Sequence, residues 1–563
     1  MGNTLYSNFN QHSFSPFFVD VNGTAAMPPL KTIPFLPGPA GYLASWRKRA
    51  SIDDARSNVS PKPSASVKGP HPQVLPFFER HSSLNSTLLG LLERYSTARH
   101  HLGFYINVAV SATYTLPETC SYPLKSFIYR ACKILIGQHP ILSVIPVGEN
   151  TDEPHFVRLP AIDLDTCISF EERRHGNLVS NHSSNPDPDM DLEKLLNIQH
   201  NIPFSPPCPF WRLCILANHD HPHIFTASFI FHHAIGDGTS GMAFHKTFLR
   251  ALHLELSSAE SSDQVDCTIV SPNIPLLPNI EALHPMTVSI PFLLSILFRE
   301  KIWNKQDPNL WTGSKITMPL ENEIRLLVLS ESQTLSFRDL CRKNKTTITA
   351  ALHTLVAGAV FLNVSAHYSR LRCVGALSNR RWLVERISDD SMGVFVQNLH
   401  DSYHREKFFD QSGNFKFPWD EAVRSRKTIE DTINMKGKNA MPNLLKYVGN
   451  FHSELFLSKV SKDRADSYEV SNLGVFRSNL GPEAGSQNPR IGRMVFSQSA
   501  NVAGSAFAVS TITGSDGCLV LAFSWQKDVI ELHLAGDIMK TVVQQLAIIL
   551  SGHVIWLTNP STI

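Results

Sequence analysis

The sequence lacks the marks of a metal-binding, nucleic-acid-binding or membrane-spanning chain. Its nine cysteines (Cys120, Cys132, Cys167, Cys208, Cys214, Cys267, Cys341, Cys373 and Cys518) are scattered, odd in number and never spaced C-x-x-C. That excludes a zinc ribbon and a disulfide framework and favours a reducing compartment. A formal net charge of +2 over 563 residues leaves no electrostatic footprint for a phosphate backbone, and neither a long basic helix nor zinc-finger spacing appears. No nucleic-acid partner and no bound metal are expected. The apolar run at 288–298 is interrupted by Pro291 and falls well short of the roughly 20 residues that span a bilayer. It reads as a core or interface helix, with a membrane-surface helix as the alternative. The amino terminus has no charged stretch followed by an apolar core, and Tyr6 stands where myristoylation wants Ser or Thr. Neither a leader nor a lipid anchor is expected.

What is present is the composition of a folded soluble protein, 42% hydrophobic and 18% charged, on a chain too long for one ordinary core. The division expected is a disordered tail over 1–72, ending in the Pro- and Ser-rich stretch 61–72, then two α/β units at 73–315 and 316–563. Trp46-Arg47-Lys48-Arg49 reads as part of a solvated tail. In the first unit the patterning predicts helices at 86–95, 124–138 and 192–198, strands at 103–114, 141–146 and 156–159, and a polar loop at 179–189. A hairpin follows whose first arm is Trp211–Leu216. Its turn holds His219, His221 and His223, which read as solvated loop residues rather than a metal clip. In the second unit, strands are expected at 324–329, 370–377, 506–512, 519–524 and 529–534, a small-residue helix at 347–360, a surface loop at 481–489 and a last helix at 537–550.

The chain is organised around Phe231-His232-His233-Ala234-Ile235-Gly236-Asp237-Gly238-Thr239-Ser240-Gly241. It follows an apolar strand from Ile224 and precedes a helix on which Phe244, Phe248 and Leu252 recur every four residues. This is a strand-to-helix turn. Gly236, Gly238 and Gly241 read as supplying backbone angles other residues resist, and Asp237, Thr239 or Ser240 as the helix cap. An imidazole held at such a turn suits proton transfer near neutrality, its unperturbed pKa being about 6.5. Spacing alone carries no information. With 25 histidines in the chain, about one H-x-x-x-D arises by chance at ordinary Asp frequencies, and His533…Asp537 is such a decoy, its Asp read as a plain N-cap.

Taken with Glu93-Arg94-Tyr95, Arg99, Leu102-Gly103, His139-Pro140-Ile141-Leu142, Trp211-Arg212-Leu213, Trp311-Thr312-Gly313, Met392-Gly393 and Ser471-Asn472-Leu473-Gly474, the turn makes the chain resemble the fungal alcohol O-acetyltransferase family, within the CoA-dependent acyltransferases of H-x-x-x-D-G type. The likeness covers most of residues 84–550. It implies two similar chloramphenicol-acetyltransferase-like domains, each a mixed β-sheet with flanking helices, and a tunnel between them. It implies acetyl-CoA as co-substrate, with no permanently bound cofactor, and a small-molecule alcohol of fungal secondary metabolism as acceptor. His233 is then the general base, attack on the thioester proceeds without an acyl-enzyme, and His232 is a packed neighbour. Asp237 is a structural residue that orients the loop by pairing with Arg380 or Arg381, unless both arginines are surface charges. Gly236 and Gly238 support the loop. Ser510 is a candidate oxyanion donor, with Thr511 as its neighbour, unless a buried strand hydroxyl bonds its own backbone. The D-F-G-W-G signature of plant relatives is absent, and Ser471–Gly474 stands at a comparable late position. The same base would serve a hydrophobic amine, so N-acetylation is the alternative, followed by a catalytically idle binding relative. A cytoplasmic monomer is expected, with weak membrane-surface contact at the endoplasmic reticulum or lipid droplets.

Overall fold

A computed structural model describes residues 86–551 except 119, 121–122, 175–187, 258–265, 302–306, 384, 386 and 479–487. The expected tail, the linker at 61–72, and most of the loops expected at 179–189 and 481–489 lie outside the described residues.

Two mixed sheets position everything else. The strands, in chain order, are β1 (Val108–Thr115), β2 (Ile168–Glu172), β3 (Trp211–Asn218), β4 (His221–Phe231), β5 (Asn322–Leu329), β6 (Arg370–Ser378), β7 (Val396–His404), β8 (Tyr468–Val475), β9 (Arg490–Gln498), β10 (Phe507–Thr513) and β11 (Leu519–Gln526). The first sheet runs β9-β1-β4-β3-β2 and the second β5-β11-β10-β8-β6-β7. Each combines antiparallel pairs with parallel ones, β2–β3 in the first and β6–β8 and β8–β10 in the second.

The helices that cover the sheets follow from the same patterns. On α1 (Leu124–Gln138) and α2 (Gly238–Ser257) the apolar residues recur at helical period and close the first core. Phe244 stacks face to face on Phe229 of β4 at 3.8 Å between centroids. Against the second sheet, α3 (Ile348–Asn363) is buried along nearly its whole length. Its small residues permit that depth: a Cβ on Gly358 would lie 2.9 Å from the Phe415 ring.

Several expectations need correction. Residues 86–95 split into a strand, Ser86–Leu88, and a helix that starts only at Leu91. Residues 140–143 form a 3-10 turn before a strand at Val144–Val147. The strand expected at 529–534 is absent: the last helix, Leu532–Ser551, already contains His533 and Asp537. Asp537 is therefore inside the helix and no N-cap. Residues 290–301 are helical, but Ile290, Leu294, Leu297 and Phe298 are exposed, which removes the core reading. Strand β9 was not expected at all. A bulge between Ile491 and Met494 breaks its alternation, and it pairs with β1 rather than with its sequence neighbours. The second half of the chain thus lends a strand to the first half's sheet, and the sheets do not part cleanly at 315/316.

Candidate active site

Strand β4 ends at Phe231, and the chain turns through residues 232–237 before α2 begins. The turn separates the two histidines. His232 is 1% exposed, its backbone N–H bound to the Phe210 carbonyl. His233 remains partly open to solvent, while its Nδ1 is buried, which leaves Nε2 as the ring nitrogen available to a bound molecule. Burial, then the nearby Arg99 guanidinium, holds the His233 imidazole well below its ordinary 6.5, so at neutral pH it is an unprotonated acceptor.

Asp237 is turned away from His233. Its Oδ2 accepts from Arg380 Nη1 at 2.7 Å and from the Phe395 backbone N–H at 3.0 Å. Its Oδ1 accepts from the Ser240 N–H and hydroxyl, so Asp237 caps α2. Though burial opposes it, the Arg380 charge keeps this carboxyl below the usual range. Arg380 also donates to the Ser391 and Gly393 carbonyls, and the Ser240 hydroxyl accepts from the Gly393 N–H. The turn from the first half is thereby fastened to residues 391–395 of the second. Arg381, one residue on, is exposed and outside this network.

Gly236, Gly238 and Gly241 do not serve the turn as expected, since none adopts a positive φ. They are needed for space. A Cβ would lie 2.8 Å from Ser240 Cβ at Gly236, 2.6 Å from Leu473 at Gly238 and 2.3 Å from Val110 at Gly241. Leu473 belongs to Ser471-Asn472-Leu473-Gly474, so that stretch packs directly on the turn.

Behind the turn lies a cluster that sequence reasoning missed. Glu149 sits 3.1 Å from His100 Nδ1 and 3.3 Å from His232 Nε2. Spacing of this kind can suggest a metal site, yet the hydrogen bonds argue otherwise. His100 Nε2 accepts from the Phe204 N–H and His232 Nδ1 from the Ala234 N–H. The nitrogens that face Glu149 therefore carry the ring protons and cannot be ligand atoms. Burial brings His232 down to about 4. Glu149, which burial alone would raise, is brought down to about 2 by the two imidazoles. The Glu149 carboxylate, hydrogen-bonded to His100 and set against His232 Nε2, holds the His232 ring at the start of the turn. Nothing in the local sequence signals Glu149, because its partners are distant along the chain. The hairpin histidines form no ligand cluster among the described residues.

Tyr105 packs beside His233, the two ring centres 5.7 Å apart. Its hydroxyl donates to Gln498, which donates to Glu469, which also accepts from Ser471. Ser510 lies in register with Ser471 across β8 and β10, on the same face. Among the described residues its buried hydroxyl has no hydrogen-bond partner, and the same holds for Thr511, so the expected bond to the strand's own backbone is absent from both.

A model of the alcohol acetyltransferase family matches residues 88–544. A probable alcohol acetyltransferase, crmB of Aspergillus fumigatus, is 36% identical over 459 residues, covering 78% of this chain and 95% of that protein. Another, FCK4 of Fusarium pseudograminearum, is 25% identical and covers 83% and 94%. Among solved structures, the TRI3 trichothecene 15-O-acetyltransferase of Fusarium sporotrichioides superposes with a TM-score of 0.61 at 12% identity, over 83% of this chain and 96% of its own. The condensation domain of the monacolin K polyketide synthase MokA gives 0.53 at 12% identity, over 84% and 99%. At such identities the structural likeness speaks for the fold alone.

Proposed function

Because the chain belongs to the alcohol acetyltransferase family and is an acetyltransferase, we propose that it esterifies the hydroxyl of a small hydrophobic acceptor of fungal secondary metabolism with the acetyl group of acetyl-CoA, His233 acting as general base. The observation that carries this reading is the His233 imidazole, neutral and partly open, on a turn whose aspartate is spent on Arg380 rather than on the histidine. The acceptor oxygen forms its bond to the thioester carbon as its proton passes to His233 Nε2. The tetrahedral intermediate then breaks the carbon–sulfur bond, and the imidazolium returns the proton to the CoA thiolate. An alcohol is a poor nucleophile near neutrality, and a positioned base contributes about 10²–10⁴-fold. No acyl-enzyme is needed. The buried cysteines suit none, since burial pushes Cys214 up to about 11 and Cys341 up to about 12.

Free thiol release from acetyl-CoA with a panel of alcohols and amines, followed by product mass, tests the reading. Turnover of alcohols supports it, and turnover of amines alone replaces it with N-acetylation. The pH profile adds a check. A base must be unprotonated, and one whose pKa is lowered stays so to more acidic pH, so kcat/KM should hold level as pH falls past 6.5 and decline only below. A decline centred at or above 6.5 would remove His233 as the depressed base.

The protein acts, in this reading, as a cytoplasmic monomer that touches membrane surfaces weakly, at the endoplasmic reticulum or lipid droplets. The exposed Ile290, Leu294, Leu297 and Phe298 on one helix support that contact. Co-sedimentation with phosphatidylcholine–phosphatidylserine vesicles should be lost in a Leu294→Asp/Phe298→Asp variant, and equal binding by both proteins would dismiss the helix.

A further inference from the structure

Arg99 stands in the last turn of the helix Leu91–His101, and it differs from the other deeply placed arginines of this chain. Arg380 is bound to Asp237, Arg173 to Asp189 and Thr226, and Arg464 to the carbonyls of Ser314, Val502 and Gly504. Arg99 is also withdrawn, 7% exposed; its Nε is buried without a partner, as in Arg380, but among the described residues its guanidinium makes no hydrogen bond at all. Among the described residues no carboxylate pairs with it. Its contacts are two aromatic faces: the guanidinium carbon lies 3.8 Å from the centre of the Tyr105 ring and 5.0 Å from that of Tyr95.

A cation withdrawn from water with its donors unspent is costly. Cation–π contacts return only about 0.5–2 kcal/mol each, against several kcal/mol of desolvation per ion. The arrangement makes sense if the guanidinium meets negative charge that is not part of the protein. Where that charge forms is set by Tyr105, which packs under Arg99 and against the His233 ring at 5.7 Å. Beside His233 the reacting group is the thioester. The phosphates of CoA lie a full pantetheine arm away, so they are not the anion that reaches this spot.

We infer that Arg99 is a catalytic residue of the transfer, donating a hydrogen bond from its guanidinium to the carbonyl oxygen of the bound acetyl thioester as that oxygen takes up negative charge. The inference rests on the acetyl-transfer reading above and adds to it the residue that receives the oxyanion. Fixed donors aimed at a developing oxyanion are worth about 10²–10³ in kcat. The same charge works against the imidazolium. Of the charged and titratable groups around His233, Arg99 lowers its proton affinity more than His232 does, while Asp237, directed away from the ring, raises it.

The test compares Arg99→Met and Arg99→Lys with the wild-type chain in thiol release from acetyl-CoA, using an alcohol the wild type acetylates. The methionine variant should lose about 10²–10³ in kcat while KM for acetyl-CoA and alcohol stays within about threefold, and the acid limb of its pH profile should move up. The lysine variant, keeping charge without the planar fork, should fall between the two in kcat with its acid limb unmoved. A rise in KM at constant kcat, in either variant, overturns the inference and makes Arg99 a binding residue. A loss of rate with an unmoved acid limb in a folded methionine variant also overturns it. If the methionine variant does not fold, the lysine variant decides by its kcat and KM. A wild-type chain inactive on every alcohol overturns the acetyl-transfer reading and this inference together. Equal kcat in the wild type and the methionine variant overturns only the role of Arg99.

Discussion

Replacing His233 with alanine should lower kcat for alcohol acetylation by about 10²–10⁴ and leave the thermal unfolding midpoint nearly unchanged. The rate falls because the acceptor hydroxyl loses the one neutral imidazole placed to take its proton. Stability holds because the residue is partly open and, among the described residues, no other residue hydrogen-bonds its ring nitrogens, so truncation strands no buried partner. The neighbouring His232→Ala should behave in the opposite sense. That ring is buried, accepts from the Ala234 N–H and lies against Glu149. Its removal strands the buried Ala234 N–H and empties the space beside Glu149, and costs stability before it costs chemistry. Steady-state kinetics and thermal melts on the two variants separate the roles. Full acetyl transfer by the His233 variant would end the general-base assignment.

The contrast between adjacent histidines also marks how far the sequence could be read. The turn itself was legible. An apolar strand buried on both faces stops at the histidines, and Phe244, Phe248 and Leu252 at helical spacing announce α2, all three with no exposure. A helix cap at Asp237, Thr239 or Ser240 followed from residue type and position, and of the three it is Asp237 that accepts from the Ser240 N–H. What could not be read are consequences of distant approach. The glycines of the turn look like residues chosen for backbone freedom, but their neighbours are Val110 and Leu473, both remote in sequence. Glu149 sits in a polar turn like many others until folding sets His100 and His232 around it. Strand β9 keeps no clean alternation through its bulge, so its place beside β1 had no local signal. His533…Asp537 misled for the converse reason: the spacing was local, and the helix absorbed it.

Removing the charge of Asp237 should be the most damaging single change at the site for stability. Asp237→Ala leaves Arg380, 2% exposed, without its carboxylate, and breaking a buried pair from one side typically costs about 3–5 kcal/mol. It also strands the Phe395 and Ser240 N–H groups. Activity should fall as well, since the turn that aims His233 is no longer tied to residues 391–395, and a misplacement of about 1 Å can cost about 10² in rate. The double variant Asp237→Leu/Arg380→Met, which removes both charges, should be more stable than Asp237→Ala alone while remaining slow. The destabilisation comes from the orphaned guanidinium, and the lost rate comes from the untied loop. The pH dependence has a definite sign. The folded-state pKa of Asp237 is depressed, so its contribution to stability is fully present above the unfolded value of about 3.9 and is lost as pH falls through the folded value. Acid unfolding of the wild type should therefore steepen below about pH 4, with a shallower dependence in the double variant. Denaturant titrations at pH 7 and at pH 3 on the three proteins measure this. Equal acid slopes in wild type and double variant would show that the Asp237–Arg380 pair does not hold the turn.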